Sequence, residues 1–264
     1  MKARQVRDYF RANGTWVDWD RTCDQFLHGD PDVEVKGIAV GWILTLDLAH
    51  RAAKGGANLF ITHEPIFYEG FWGEHPADGP LEKNRAKKRK ELDRLGLTVL
   101  RCHDTWDRFP GVGIPDAWAR FLGFTDYRRD PISFYGKAKI PPASVATLAR
   151  RILQRTGPLG QKAVEVFQPR ARAGSVCVGT GAITDLAGMM EEHKADCYLL
   201  ANDGSNAWSS EIYSADWNVP LIRVDHATAE LPGMMALAEH LTETFPDVLV
   251  RYIPYPCPYH RINR

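Results

Sequence analysis

Short apolar runs alternate with amphipathic stretches along most of this chain. Residues 37–44 (GIAVGWIL) predict a buried strand, and residues 46–53 predict a helix that ends at a Gly-Gly pair. Residues 58–62 (NLFIT) predict the next strand. Strands that alternate with helices of this length are typical of an α/β fold, so the pattern predicts an α/β sheet.

The alternation continues to the end of the chain, with a less regular stretch at 125–142. Further strands are predicted at 97–102, 162–167, 175–179, 197–201, 219–224 and 248–253. Further helices are predicted at 81–95, 114–122, 142–156 and 234–244. We expect two α/β lobes of similar size, residues 1–126 and residues 127–264.

Charge and composition narrow the class of protein. The 264 residues include 33 Lys and Arg and 33 Asp and Glu, so the formal net charge is zero. This balance does not favour a protein that binds nucleic acid through its overall charge. Residues 83–94 (KNRAKKRKELDR) form a local basic helix. Its interpretation stays open between a solvated helix face and a surface that attracts phosphate or nucleic acid.

Neither a membrane segment nor a secretory signal is predicted. No stretch approaches the roughly 18 consecutive apolar residues of a membrane helix, and the charged first ten residues have no apolar run behind them. The five cysteines are odd in number, far apart and without Cys-x-x-Cys spacing. Free thiols in a reducing compartment, and hence a cytoplasmic location, are the simplest expectation.

Three clusters of histidine and acidic residues each follow a predicted strand. They are residues 61–65 (ITHEP), residues 101–107 (RCHDTWD) and residues 224–230 (VDHATAE). Taken singly, each has a structural interpretation: a strand-end histidine satisfied by backbone, a polar loop that caps a helix, or an acidic helix entry. The ends of parallel strands meet at one edge of a sheet, so we expect the clusters to converge.

Convergence would bring five metal-ligating side chains together: His63, Glu64, Asp107, His226 and Glu230. Two imidazoles and three carboxylates exceed what one structural zinc ion needs, and such a set suits two divalent ions that share a bridging carboxylate. Two loops after predicted strands, 179–181 (GTG) and 201–208 (ANDGSNAW), are interpreted as turns. The alternative for the first loop is a backbone nest that binds phosphate. The alternative for the second loop is that Asp203 faces the cleft.

The three clusters, in this order and at these intervals, resemble the NIF-three-like family of dinuclear metal proteins, described as GTP cyclohydrolase type 2-like. The resemblance extends from about residue 35 to residue 253. It implies a NIF-three-like unit of two similar α/β lobes with a metal site in the cleft between them. It also implies that the C-terminal segment, about 225–264, returns to the first lobe, and that the chain forms a homohexamer.

The resemblance also implies roles for particular residues. His63, Glu64, Asp107, His226 and Glu230 would bind two divalent ions, Zn, Mn or Fe. The resemblance places His103 at the edge of the site. We expect Glu230 to be the bridging carboxylate and His103, which is not needed as a ligand, to be a catalytic proton shuttle. Glu64 stands where the family usually has a second histidine, and Asp104 and Asp225 replace a threonine-like residue and a glycine.

The function implied is metal-dependent hydrolysis of a small molecule, in particular a nucleotide or a related phosphate-bearing compound. The alternative is a non-catalytic metal-binding scaffold or regulatory interaction protein. A catalytic site would keep an open coordination position, and a structural site would be closed. Nucleic acid and membrane are not expected partners.

Overall fold

The computed structural model describes residues 1–67 and 79–255 of the chain. The described residues form two compact units, one made of Met1–Trp106 and Leu237–Tyr255, the other of Asp107–Ala236. Each unit has its own β-sheet, which confirms the predicted α/β class.

Strands and helices are numbered along the chain. The strands are β1 (Phe26–His28), β2 (Ile38–Gly41), β3 (Leu59–Thr62), β4 (Thr98–Arg101), β5 (Asp126–Arg129), β6 (Gly136–Ser144), β7 (Glu165–Phe167), β8 (Arg172–Val178), β9 (Cys197–Ala201), β10 (Leu221–Val224) and β11 (Val250–Tyr252). The α-helices are α1 (Ala3–Asn13), α2 (Leu46–Lys54), α3 (Pro80–Leu95), α4 (Asp104–Asp107), α5 (Ile114–Phe121), α6 (Val145–Thr156), α7 (Leu186–Glu192), α8 (Ile212–Trp217) and α9 (His226–Thr244). A π-helix, Ala207–Glu211, precedes α8.

The first unit is built on a sheet with strand order β1-β4-β3-β2-β11. All neighbouring pairs are parallel except the edge pair β1–β4. Every residue of β2 and β3 is buried, as expected for a parallel sheet covered on both faces. The chain's last described strand, β11, pairs with β2, so the C-terminal part of the chain completes the first sheet.

The second unit is built on a sheet with strand order β5-β6-β8-β9-β10-β7, in which β8, β9 and β10 are parallel. Residues 125–142, the less regular stretch of the sequence, contain β5 and most of β6, which pair antiparallel. Neither strand was predicted, because DYRR and the Pro141-Pro142 pair show no alternation of apolar and polar residues. The prolines fall where the β6–β8 register shifts, at which ladder hydrogen bonds are not needed.

Each unit has a separate hydrophobic core. Leu48 of α2 and Phe60 of β3 belong to the core of the first unit. Val176 of β8 and Leu199 of β9 belong to a core of the second unit. The buried Trp118 of α5 also belongs to that second core, although α5 lies before residue 126.

Helix α9 begins at His226, eight residues before the predicted start at 234. The interior Pro232 explains the difference, because proline is a strong helix-ending signal in sequence. The early start is consequential, since it places His226 and Glu230 in one helix, one turn apart.

The basic helix α3 buries only Leu92, so most of its cations face solvent. Lys88 differs: its ammonium donates hydrogen bonds to the carbonyl oxygens of Leu44 and Ile66, which follow β2 and β3. Burial lowers the pKa of Lys88 to about 8. This lysine therefore ties α3 to two loops at the carboxyl ends of the first sheet.

The described cysteines agree with the expectation of free thiols. The four described cysteines are free and three of them are buried, while Cys257 lies outside the described residues. Burial raises the pKa of Cys177 and of Cys197 to about 12, so both stay protonated thiols. Among residues 1–67 and 79–255, no helix is long and apolar enough to cross a membrane.

Candidate metal-binding groups

The first group lies at the carboxyl ends of β3 and β4. These strands are parallel neighbours, with Thr62 opposite Arg101, so the residues that follow them are brought side by side. His63 is fully buried, and its Nδ1 lies 3.2 Å from the carbonyl oxygen of Cys102. A carbonyl can only accept, so Nδ1 carries the proton and Nε2 carries the lone pair that a metal requires.

Three side chains of this group offer ligand atoms at metal-binding distances. The three side chains are those of His63, Glu64 and His103. Each offers one ligand atom, and these three atoms lie within 4.8 Å of one another. The two imidazole rings stack with centroids 4.3 Å apart. Arg101 donates to the carbonyl oxygen of His63 at 2.8 Å, and its guanidinium lies 3.6 Å from the Glu64 carboxylate. Two imidazoles and a carboxylate suit zinc, manganese or iron.

Asp104 orients His103. Its carboxylate accepts from His103 Nδ1 at 2.9 Å and from the Thr22 hydroxyl at 2.7 Å. The hydrogen bond from His103 is the main cause that lowers the pKa of Asp104, followed by that from Thr22. Asp104 is therefore a carboxylate, which fixes the His103 proton on Nδ1 and leaves Nε2 to take up or release a proton. The ligand atoms of Cys23, His103 and Asp104 also lie within 4.8 Å of one another.

The segment that carries His103 is anchored by a residue that sequence analysis missed. The buried Asp24 accepts from the backbone amides of His103, Asp104 and Thr105 at 2.6, 3.0 and 2.8 Å. It thus supplies the cap at the start of α4. No local spacing signals this contact, because Asp24 and His103 are 79 residues apart.

The second group lies at the carboxyl ends of the parallel strands β8, β9 and β10. His226 begins α9 directly after β10, and Glu230 follows one turn later. Their Nε2 and Oε2 atoms are 3.1 Å apart, and Glu230 is only 3% exposed. The four-residue spacing thus places both side chains together, as expected for a helix.

Asp203, in the loop after β9, contacts the other nitrogen of the same imidazole. Its Oδ2 lies 2.8 Å from His226 Nδ1, and the neighbouring Asn202 accepts the His226 backbone amide at 2.9 Å. The hydrogen bond from His226 is the main cause that lowers the pKa of Asp203. Asp203 therefore contacts a candidate ligand, His226.

Both ring nitrogens of His226 consequently face carboxylates. With the Nδ1 proton directed at Asp203, the Nε2 lone pair would face Glu230 and repel it. Either a second proton on the imidazole or a cation must therefore lie between His226 Nε2 and the Glu230 carboxylate. Two ligands of one ion, each about 2.1 Å from it, are about 3.0 Å apart at 90° and about 3.4 Å at the tetrahedral angle. The observed 3.1 Å fits this geometry.

The glycine loop after β8 closes over the same pair. Gly181 has φ +68°, and a Cβ built on it would lie 2.5 Å from Glu230 Oε1 and 3.4 Å from His226 Nε2. A side chain at this position would occupy the space next to both ligand atoms. The loop is thus more than a packing turn: it brings backbone directly against the candidate ligands.

The five predicted ligands divide between the units. His63 and Glu64 belong to the first unit, and Asp107, His226 and Glu230 to the second. Asp107, the last residue of α4, is 8% exposed. The side chains of Glu64 and His226 are 15% and 12% exposed, so all five are largely withdrawn from water. The residues present thus have the donor types, burial and tautomers that divalent metal ions require.

Known proteins are similar to this chain over most of its length. The chain matches the family described as Duf34/NIF3 (NGG1p interacting factor 3) over residues 12–258. It is 25% identical over 222 residues to a protein of Chlamydia pneumoniae named GTP cyclohydrolase 1 type 2 homolog, covering 83% of this chain and 84% of that one. A protein of the same name from Mycoplasmopsis pulmonis is 25% identical over 205 residues, covering 75% of each chain.

Solved structures share the fold at lower sequence identity. A Bacillus cereus protein related to NIF3 superimposes with a TM-score of 0.79 at 11% identity, and covers 99% of both chains. A hypothetical protein of Staphylococcus aureus superimposes with a TM-score of 0.80 at 15% identity, again over 99% of both chains. The family match spans most of the sequence, and we conclude that the chain belongs to the DUF34/NIF3 family.

Proposed function

We propose that this protein is a dinuclear metal-dependent hydrolase that acts on a nucleotide or a related phosphate-bearing small molecule. The observation that carries the proposal is His226, whose two ring nitrogens both face carboxylates while the buried Glu230 stands 3.1 Å from Nε2. A divalent cation satisfies this arrangement. The substrate class is taken from the relatives named GTP cyclohydrolase 1 type 2 homolog, and ring opening of GTP is the specific activity proposed.

The proposed ligands come from both units, with the metal site in the cleft between the lobes as the family resemblance implies. They are His63, Glu64, Asp107, His226 and Glu230. Glu230 is the proposed bridge. Two divalent ions, Zn, Mn or Fe, carry four positive charges, of which the three carboxylates neutralise three. The residual charge favours a bound hydroxide or an anionic substrate.

When bound, the two ions would supply a water molecule of lowered pKa and would stabilise negative charge on the substrate. The chain's own residues complete the chemistry. His103 is the proposed proton shuttle at Nε2, because Asp104 holds its other nitrogen at 2.9 Å. Arg101 keeps the Glu64 carboxylate partly neutralised, so that the cluster tolerates this acidic residue where the family usually has histidine.

The proposal has two further parts. The protein assembles as a homohexamer, as the resemblance implies, and it is located in the cytoplasm. Neither part is needed for the metal chemistry, and each is tested separately by the mass of the native particle and by fractionation of cells.

Metal content tests the site. Wild-type protein reconstituted with zinc or manganese should hold two equivalents by elemental analysis, and Glu230→Ala should hold fewer than one. Glu239→Ala is the matched control, since Glu239 is exposed on the same helix, α9. Unchanged metal content in Glu230→Ala would remove the bridge assignment.

Turnover tests the reaction. Metal-loaded wild type should open the purine ring of GTP, measured by ultraviolet absorbance, and His103→Asn should lose 10²- to 10⁴-fold in kcat, roughly the contribution of a general acid–base, with its metal content unchanged. If wild type binds both ions but turns over no nucleotide, and chelation instead dissociates the oligomer, the scaffold alternative holds.

A further inference from the structure

One surface of the second unit is unusually apolar. It consists of the π-helix Ala207–Glu211, helix α8 and the loop before α7, and we call it the tryptophan face. Its large exposed side chains are Ile183, Trp208, Ile212, Tyr213 and Trp217. Trp208 is 83% exposed and Trp217 is 68% exposed. Within residues 1–67 and 79–255, the three other exposed large apolar side chains are far apart in sequence.

Along the tryptophan face, small polar side chains are buried and large apolar side chains are exposed, the opposite of an ordinary amphipathic helix. Its buried side chains are Ser205, Ser210 and Ser214, while the two tryptophans point to solvent. A helix on the surface of a monomer normally buries its large apolar residues and exposes its serines. On the inward side, Ser205 and Ser210 hydrogen-bond each other at 2.8 Å. The pattern is therefore explained by a partner that covers the outer side.

A pocket lies beside these projecting rings. It has a volume of about 360 Å³, and its wall includes Leu186 and Met190 of α7 and Tyr213 of α8. This volume lies at the small end of the range for ligand pockets and has room for one aromatic side chain. The same face thus presents both large apolar projections and a cavity, whose wall also includes Asp185 and Glu191. In a two-fold contact between identical surfaces each copy supplies both halves, so this combination is self-complementary.

The exposed area is appropriate for such a contact. An aromatic side chain buries roughly 150–250 Å² when fully covered, so the exposed fractions of Trp208, Tyr213 and Trp217 offer roughly 300–500 Å². A standard interface buries about 800 Å² on each partner. The three aromatic side chains supply about half of that area, and the isoleucines and the pocket rim add to it.

We propose that the tryptophan face docks on the same face of a second copy of this chain, with a tryptophan of each copy seated in the pocket of the other. This assignment does not rest on the proposed hydrolase activity. It names a surface and a symmetry, whereas the expected homohexamer specifies neither.

Sedimentation of the metal-loaded 264-residue chain over a concentration series tests the proposal. Trp208→Ala and Trp217→Ala should each raise the dissociation constant of the contact about 10- to 100-fold, as expected for interface tryptophans. The double variant should reduce the particle mass by half or more. Leu249→Ala is the control, because Leu249 is 53% exposed but lies in the first unit. Circular dichroism checks that each variant is folded.

Cross-linking tests the contact without removing it. A photoreactive phenylalanine analogue in place of Trp208 or of Trp217, in a mixture of ¹⁴N- and ¹⁵N-labelled chains, should give mixed-isotope cross-links to residues 186–190. A monomeric wild type, an oligomer whose mass is unchanged in the double variant, or cross-links only to a different protein or only within one chain would each overturn the proposal.

Discussion

Carboxylates decide which nitrogen of the histidines in the candidate groups is available for a metal or for proton transfer. Asp203 holds Nδ1 of His226 at 2.8 Å, and Asp104 holds Nδ1 of His103 at 2.9 Å. In metal sites, such partners fix the tautomer of the ligating histidine and raise its basicity. The two aspartates are thus as much a part of the candidate sites as the ligands themselves.

Asp203→Asn should therefore weaken metal binding about 10- to 100-fold, because the amide can turn its NH₂ toward Nδ1 and favour the wrong tautomer. Metal titration followed by calorimetry measures the change. The control is Asp216→Asn, since Asp216 is exposed on α8 and should leave the affinity unchanged. Equal affinities for Asp203→Asn and wild type would show that the 2.8 Å contact does not act on the metal.

From the sequence, the candidate ligand side chains were easier to find than the residues that support them. His226 and Glu230 were predictable because their four-residue spacing is a property of one helix. Asp24 was not, because it caps α4 across 79 residues of chain and no local pattern encodes such a contact. Asp203 lies in a loop whose composition equally favours a turn.

The glycine loop after β8 is the element most tightly fitted to a candidate ligand. Gly181→Ala should abolish or strongly reduce metal binding, because its Cβ would lie 2.5 Å from Glu230 Oε1. The left-handed backbone adds about 1–2 kcal/mol of destabilisation for any residue with a Cβ. Metal content and the free energy of unfolding are measured together.

Gly111→Ala separates the two effects. Gly111 has φ +76° and nothing within 4 Å of the position of its Cβ, so this variant carries only the backbone cost. The prediction is that Gly111→Ala loses only the backbone contribution to stability, that Gly181→Ala loses at least as much, and that metal is lost in Gly181→Ala alone. If both retained metal equally, the loop would have no role at the ligands.

Helix α3 is tied to the first sheet through Lys88, and this contact predicts a pH dependence of stability. The pKa of Lys88 is lowered from 10.5 to about 8 by burial. Between these values the folded state has released a proton that the unfolded state still holds, so stability should rise with pH. A neutral amine can still donate to both carbonyl oxygens.

The measurement is the free energy of unfolding by denaturant at pH 7 and pH 9.5 for wild type, Lys88→Met and the exposed-site control Lys87→Met. Wild type and Lys87→Met should gain stability relative to Lys88→Met as the pH rises. A difference between wild type and Lys88→Met that does not change with pH would contradict the assigned shift.

Elements with a strong local pattern were predicted well, and the others were not. Strand β9 matches its prediction residue for residue. Strand β6 was missed because its nine residues combine lysines with two prolines. The π-helix and α8 were missed because their apolar residues face outward, so their periodicity did not mark a core.

At the level of the whole molecule, metal and folding should be coupled. Ligand side chains gathered from distant parts of the chain exist as a set only in the folded state, so metal binding stabilises that state. At a free metal concentration 100 times the dissociation constant, the expected gain is about 2.7 kcal/mol. Denaturant unfolding with and without metal measures it, and Glu230→Ala should show little of the gain. Equal stabilisation of this variant would place the metal elsewhere.

The proposed function rests on the claim that ligands from both units hold two shared cations. Anomalous diffraction at the metal absorption edges, on crystals of metal-loaded protein, tests it most directly. The account predicts two peaks, both in contact with Glu230, with His63 or Glu64 among the ligands of at least one. No peak, or ions bound only by residues of a single unit, would contradict it.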